Sequence, residues 1–246
     1  MLLLDIGNSL LHWAVCTDDR PEGGGQFLHR GRNLLQLADQ AWANLPAPDR
    51  VVIANVAGSS PGMALADWLQ QRWGIAPEFI RASARACGVT NAYPEPERLG
   101  VDRWATLVAT HYHYPGAACI VDCGTAITID VINAEGWHQG GLILPGVESM
   151  KQLLLQNTAD IGTAGNLRPA RLLATATADA VNGGALYLAV AAIDRIIGDL
   201  AADYGASLQV VLTGGDAPVL LPLLATPAHH DPALVLEGLA LLAGGT

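Results

Sequence analysis

Short apolar runs broken by polar, glycine-bearing turns recur along the chain, and one of them opens it. Leu2, Leu3 and Leu4 predict a buried strand running into Asp5-Ile6-Gly7-Asn8-Ser9, and Leu10 to Val15 predict a second strand that folds back as a hairpin. The same arrangement returns at Cys119 to Ile132, where Ile120-Val121 leads into Asp122-Cys123-Gly124-Thr125-Ala126 and then Ile127 to Ile132. The two aspartates stand 117 positions apart in 246 residues, so duplication of one domain is the economical explanation. Two lobes with matching first hairpins are expected.

Helical spacing of Leu34, Ala38, Ala41 and Leu45 predicts a helix, and Val51 to Ala54 a short buried strand before the polar turn Gly58-Ser59-Ser60-Pro61. A helix through Leu65, Trp68, Leu69 and Trp73 follows. Pro94 and Pro96 make Ala92 to Gly100 an extended loop, and Val101, Trp104, Ala105, Val108 and Tyr112 mark a helix with Asp102 and Arg103 in its first turn. Later, Gly140 to Gly146 predict a strand between glycine turns, with a helix from Val147 and a polar loop from Asn157 to Thr177. Leu186, Val190, Ile193, Ile197 and Leu200 form an apolar stripe, while Leu188 and Ile196 lie off it. A helix apolar on two sides suggests a dimer interface. A strand at Leu208 to Leu212, the turn Thr213-Gly214-Gly215-Asp216 and a helix over Ala233 to Leu242 complete the pattern. Mixed strands and helices in two similar halves give an α/β fold with lobes at 1–116 and 117–246.

Composition narrows the chemistry. Hydrophobic residues at 51% against 15% charged describe a densely packed globular protein, and a net charge of −10 would repel a nucleic-acid backbone. No apolar run approaches the roughly 18 residues of a membrane span, and no basic stretch precedes Asp5, so neither membrane nor secretion is expected. The cytoplasm is the default location. Cys16, Cys87, Cys119 and Cys123 show no CxxC spacing and read as free core thiols. Lys151 is the only lysine and sits in neither a GxxxxGK[ST] nor a VAIK context, which excludes P-loop and protein-kinase chemistry. There is no HExxH, and His111, His113, His229 and His230 fall at spacings that build no metal site.

The duplicated hairpins carry the strongest signal. A strand ending in a glycine turn lets backbone N–H groups approach a ligand closely, and phosphate is the natural guest. An aspartate at the end of the preceding strand, as Asp5 and Asp122 are, can hold a cation that offsets phosphate charge. One Asp-x-Gly-Asn turn is ordinary turn chemistry. Two copies, one per lobe, point to phosphate.

This duplication resembles the phosphate-binding hairpins of the actin, sugar-kinase and heat-shock-chaperone superfamily, which implies two ribonuclease-H-like lobes with a nucleotide cleft between them. Within it the chain is most similar to type III pantothenate kinases, through Asp5-Ile6-Gly7-Asn8-Ser9, Gly100-Val101-Asp102-Arg103, Asp122-Cys123-Gly124-Thr125-Ala126-x-Thr128-x-Asp130, Gly140-Gly141-x-Ile143-x-Pro145-Gly146, and Thr177-x-x-Ala180 with Gly184.

The resemblance implies transfer of the ATP γ-phosphoryl group to the terminal hydroxyl of pantothenate, opening coenzyme A synthesis. Asp102 matches the family's general base; a helix N-cap is its structural alternative. Arg103 would pair with the pantothenate carboxylate, or be a plain surface arginine. Tyr93 and Thr177 match positions that touch pantothenate, against packing for Tyr93 and helix capping for Thr177. Gly100 and Val101 belong to the same substrate motif. Asp5 (with Mg2+), Ile6, Gly7, Asn8, Ser9, His12, Gly124 and Thr125 fall to ATP, and Asp122 to a monovalent cation, K+ or NH4+. Gly214-Gly215 would present backbone to the adenosine or form an ordinary turn. The family also implies a homodimer. His12 stands where many members carry lysine, and Ser9 where threonine is frequent. A non-catalytic regulator of the same fold, and another kinase or a polyphosphate hydrolase of the superfamily, are the competing readings.

Overall fold

The computed structural model describes residues 1–17, 20–158 and 173–244. They divide into two compact units, 1–113 with 136–138 and the C-terminal segment from 233, and 114–135 with 139–232.

The first unit is built on β1 (Leu2–Ile6), β2 (Leu10–Thr17), β3 (Arg20–Leu28), α1 (Leu34–Ala41), β4 (Val51–Asn55), α2 (Ser59–Trp73) and β5 (Glu78–Phe79). Its sheet runs β3-β2-β1-β4-β5, with β1 antiparallel to β2 and parallel to β4. All five residues of β1 are buried, as befits a central strand covered on both faces. Short strands β6 (Arg85–Ala86) and β7 (Val89–Thr90) form a separate hairpin, and α3 (Val101–His113) follows it. Trp42 is wholly buried among Trp13, Phe27, Trp68 and Trp73, at ring-centroid distances of 5.5 to 6.2 Å.

The second unit contains β8 (Ala118–Cys123), β9 (Ala126–Ile132), most of β10 (His138–Pro145), α4 (Val147–Asn157), α5 (Thr177–Tyr204), β11 (Gln209–Thr213), α6 (Ala217–Leu220) and β12 (His229–His230). Its strand order is β10-β9-β8-β11-β12, which repeats the third, second, first, fourth, fifth order of the first sheet. Again the first strand is antiparallel to the second and parallel to the fourth. The duplication expected from the two hairpins is therefore a duplication of topology. Its core packs Val121, Ile127 and Ile129 of the sheet against Leu186, Ile193 and Ile197 of α5.

Several expectations are revised. The closing helix, α7 (Leu234–Gly244), groups with the first unit, not with the C-terminal half. It packs on α3, and the reason is steric: a side chain at Gly238 would overlap the backbone of Ala105, so only glycine allows this approach. Ser59-Ser60-Pro61 is the first turn of α2, where proline needs no N–H partner, rather than a loop. On α5, Ile196 packs against the core from the second side, whereas Leu188 is left exposed in the single chain. Cys16, Cys119 and Cys123 are buried free thiols, but Cys87 is only half-buried in the β6–β7 turn, at φ 47°. The loop expected at Asn157 to Thr177 lies largely outside the described residues. Among those described, no helix is long and apolar enough to cross a membrane.

Candidate functional site

Hydrogen bonding from β1 to β2 brings Asp5 opposite His12 and leaves Gly7-Asn8-Ser9 as the turn, closed by the Gly7 N–H donating to the Leu10 carbonyl at 3.0 Å. Asp5 is buried, and among the described residues its Oδ1 is sequestered from water without a hydrogen-bond donor. A carboxylate oxygen in that condition fits a cation as its completing partner. The His12 ring lies 3.5 Å from Asp5 Oδ2 through Nδ1, and 2.7 Å from Gln26 Oε1 through Nε2. His12 is thus engaged within the sheet by Asp5 and Gln26.

The second cluster of the first unit sits at the start of α3. Gly100 supplies the carbonyl that accepts the Trp104 N–H, so Asp102 lies inside the first turn and is not its N-cap. Asp102 Oδ1 accepts the N–H of Arg103 at 2.8 Å. Its pKa is pushed up to about 6 by burial first and by the charge of Asp5 second, against the opposing pull of Arg103. Asp5 and Asp102 are therefore electrostatically coupled. Arg103 is 5% exposed, which removes the reading of a plain surface arginine. Its Nη1 donates to the Tyr93 hydroxyl at 3.0 Å, and its guanidinium lies 5.7 Å from the Tyr93 ring centre. Tyr93 is held in turn, because Asn91 Oδ1 accepts its N–H at 3.0 Å while the Asn91 amide donates to the carbonyls of Ser83 and Pro96. His138 stacks on the Tyr93 ring, with the ring centres 6.0 Å apart.

In the second unit, Asp122 pairs in register with Thr128 and Thr213, and Gly124 and Thr125 form the turn. The Thr125 carbonyl accepts both the Gly146 N–H at 3.1 Å and the Ser149 hydroxyl at 2.7 Å. A side chain at Gly146 would overlap the carbonyls of Gly124 and Thr125, so glycine there is what lets α4 begin against the hairpin. Lys151 is 1% exposed, 2.8 Å from Glu148. Asp216, in the turn after β11, donates its N–H to the Cys123 carbonyl, and its pKa is pushed up to about 6 by burial and Glu148 against the charge of Lys151. Asp122 and Asp216 both reach the Cys123 thiol electrostatically and raise it further after burial. Thr177 is exposed in the first turn of α5, and the N-cap there is Ala176. Capping is thus not what Thr177 does.

The predicted set therefore falls into an Asp5–His12 hairpin and a Tyr93–Asp102–Arg103 cluster in one unit, and an Asp122–Thr125 hairpin in the other. The model for type III pantothenate kinase matches residues 1–199. The chain belongs to the type III pantothenate kinase family. A type III pantothenate kinase of Nitrosococcus oceani is 45% identical over the whole of this chain and 94% of its own length, and that of Nitrosomonas eutropha is 37% identical over 99% and 94%. A glucokinase from an Antarctic psychrotroph shares the fold with a TM-score of 0.50 at 12% identity, over 100% of this chain and 98% of its own. The kinase-family sequence motifs thus lie on the elements just described, at the ends of strands and the head of α3. Sequence reading alone did not find Asn91, the Ser149 and Gly146 bonds to Thr125, or the placement of Lys151 beside Glu148. Lys151 carried a signal as the chain's sole lysine, and Gly146 as the last residue of the Gly140–Gly146 motif.

Proposed function

We propose that this protein transfers the γ-phosphoryl group of ATP to the terminal hydroxyl of pantothenate, giving 4'-phosphopantothenate and ADP as the first step of coenzyme A synthesis. The observation that carries the reading is the cluster of half-buried Asp102 and Tyr93 around buried Arg103, coupled to the Asp5 hairpin, in a chain of this family. A pKa near 6 leaves Asp102 ionised at neutral pH but a better proton acceptor than an ordinary carboxylate. It orients the hydroxyl and takes its proton as the oxygen bonds to phosphorus and the bond to ADP breaks. Arg103, positioned by its bond to the Tyr93 hydroxyl, pairs with the substrate carboxylate through its planar guanidinium. Gly100 and Val101 bring the substrate to the head of α3, and Thr177 contacts it from α5.

The turn Ile6 to Ser9, with His12, and the turn Gly124-Thr125 take the ATP phosphates. Asp5 holds the Mg2+ that accompanies ATP and neutralises its phosphates. Asp122 holds a monovalent cation, K+ or NH4+. A homodimer is supported by β10, α4 and α5, which expose Leu142, Ile143, Leu153, Leu154 and Leu188 in the single chain. Use of ATP and of a small hydroxy acid suits the cytoplasm. Mass spectrometry of the product tests the reading: one phosphoryl group on pantothenate for each ADP supports it, and unmodified pantothenate beside released ADP rejects it.

A further inference from the structure

We infer that His29 is a positioning residue for ATP: it selects, in the first hairpin turn, the peptide orientation that offers an N–H rather than a carbonyl to phosphate. The inference rests on the proposed reading in which Gly7 to Ser9 receive the ATP phosphates. His29 directly follows β3 and is 8% exposed, although Leu28 before it and Arg30 after it are both exposed. Its Nε2 lies 2.8 Å from the Gly7 carbonyl, 22 positions earlier. A carbonyl only accepts, so Nε2 carries the proton and donates. The backbone completes the grip: the N–H groups of His29 and Arg30 both donate to the Ser9 carbonyl, at 3.0 and 3.3 Å.

The Gly7 and Ser9 carbonyls of the turn are thereby both held by the segment at His29 and Arg30. The peptide linking Gly7 to Asn8 is planar and trans, so pointing its carbonyl at His29 points the Asn8 N–H to the opposite face. Gly7 has no side chain to resist rotation of that peptide, and a flip would present oxygen, not N–H, to an incoming anion. The imidazole supplies the bond that makes the flip unfavourable. A histidine spent on a turn carbonyl is consequently tied to anion recognition through the peptide it fixes, without touching the anion itself.

Two amide substitutions test this. In His29→Gln the side-chain nitrogen matches the reach of Nε2, whereas in His29→Asn it falls short of the Gly7 carbonyl. His29→Asn is expected to raise KM for ATP about three- to tenfold, the range set by one lost hydrogen bond. KM for pantothenate and kcat should stay within twofold, and His29→Gln should return KM for ATP to within twofold of the parent. His29→Leu carries the same expectation should the Asn variant fail to fold. Equal ATP behaviour of the Gln variant and the shorter or apolar one, or an equal rise in KM for pantothenate, would overturn the inference. Asp5→Asn, measured alongside, keeps the two levels apart. If it impairs ATP use while His29→Asn is silent, the inference alone fails; if it too is silent, the phosphate-hairpin reading fails with it.

Discussion

Replacing Asp102 with asparagine separates what the carboxylate does in the reaction from what it costs the fold. Asparagine keeps the size and keeps an oxygen to accept the Arg103 N–H, but removes the charge. The native pKa is raised from the ordinary 3.8 to about 6, by burial and then by Asp5. Between those values the unfolded chain has released its proton and the native state still holds it. The native state therefore binds more protons, and stability falls as pH rises through that window. About two pKa units correspond to about 3 kcal/mol by pH 7. Asp102→Asn escapes that penalty, so it should be more stable than the parent at pH 7.5 by up to about 3 kcal/mol, and the advantage should vanish near pH 4. For a chain of this size that is a rise of several degrees in melting temperature. Turnover should meanwhile fall by about two to four decades, the usual loss for a positioned base. Differential scanning fluorimetry of both proteins at pH 7.5 and pH 4, with steady-state turnover at pH 7.5, reads both effects. An asparagine variant that gains nothing at neutral pH, or gains equally at both pH values, would refute the burial of a charged Asp102; near-parental turnover would refute its role as base.

The same protonation sets the acid side of activity: kcat/KM for pantothenate should fall with unit slope below about pH 6, because the ionised form is the active one, and a flat profile down to pH 5 would contradict it. Arg103→Lys should raise KM for pantothenate about tenfold with a smaller change in kcat, since one ammonium cannot serve both the Tyr93 hydroxyl and a carboxylate in a planar fork. Gly146→Ala should raise KM for ATP and destabilise the protein by about 1–3 kcal/mol, because a methyl group there displaces the Gly124 and Thr125 carbonyls; unchanged ATP kinetics would remove that packing from the site.

Residues whose pattern repeats were legible before the structure was. The wholly buried β1 and the mostly buried β8, the two aspartate–glycine hairpins and the head of α3 each carry local signals: continuous apolar runs, a glycine turn, a helical period. The repeated strand order follows from duplication, which the paired motifs betrayed. What escaped was set by long-range packing. The edge strand β3 is polar and rich in glycine, so it has no apolar alternation to read, and β5 and β12 are only two residues long. Nothing near Gly238 announces that α7 belongs with α3, because the cause is the backbone of Ala105 far away in sequence. His29 reaches the Gly7 carbonyl 22 positions away and the Asn91 amide reaches the carbonyls of Ser83 and Pro96, and no spacing rule encodes such bonds. The elements that carry the candidate chemistry were thus readable, and the contacts that hold them in place were not.

Whether pantothenate accepts the ATP phosphoryl group is decided by ADP release from the purified protein with Mg-ATP, with and without pantothenate and in potassium against sodium buffer. ADP formation should require pantothenate and be supported by potassium far better than by sodium. ADP release that ignores pantothenate, or no release in either buffer, would contradict the proposed transfer.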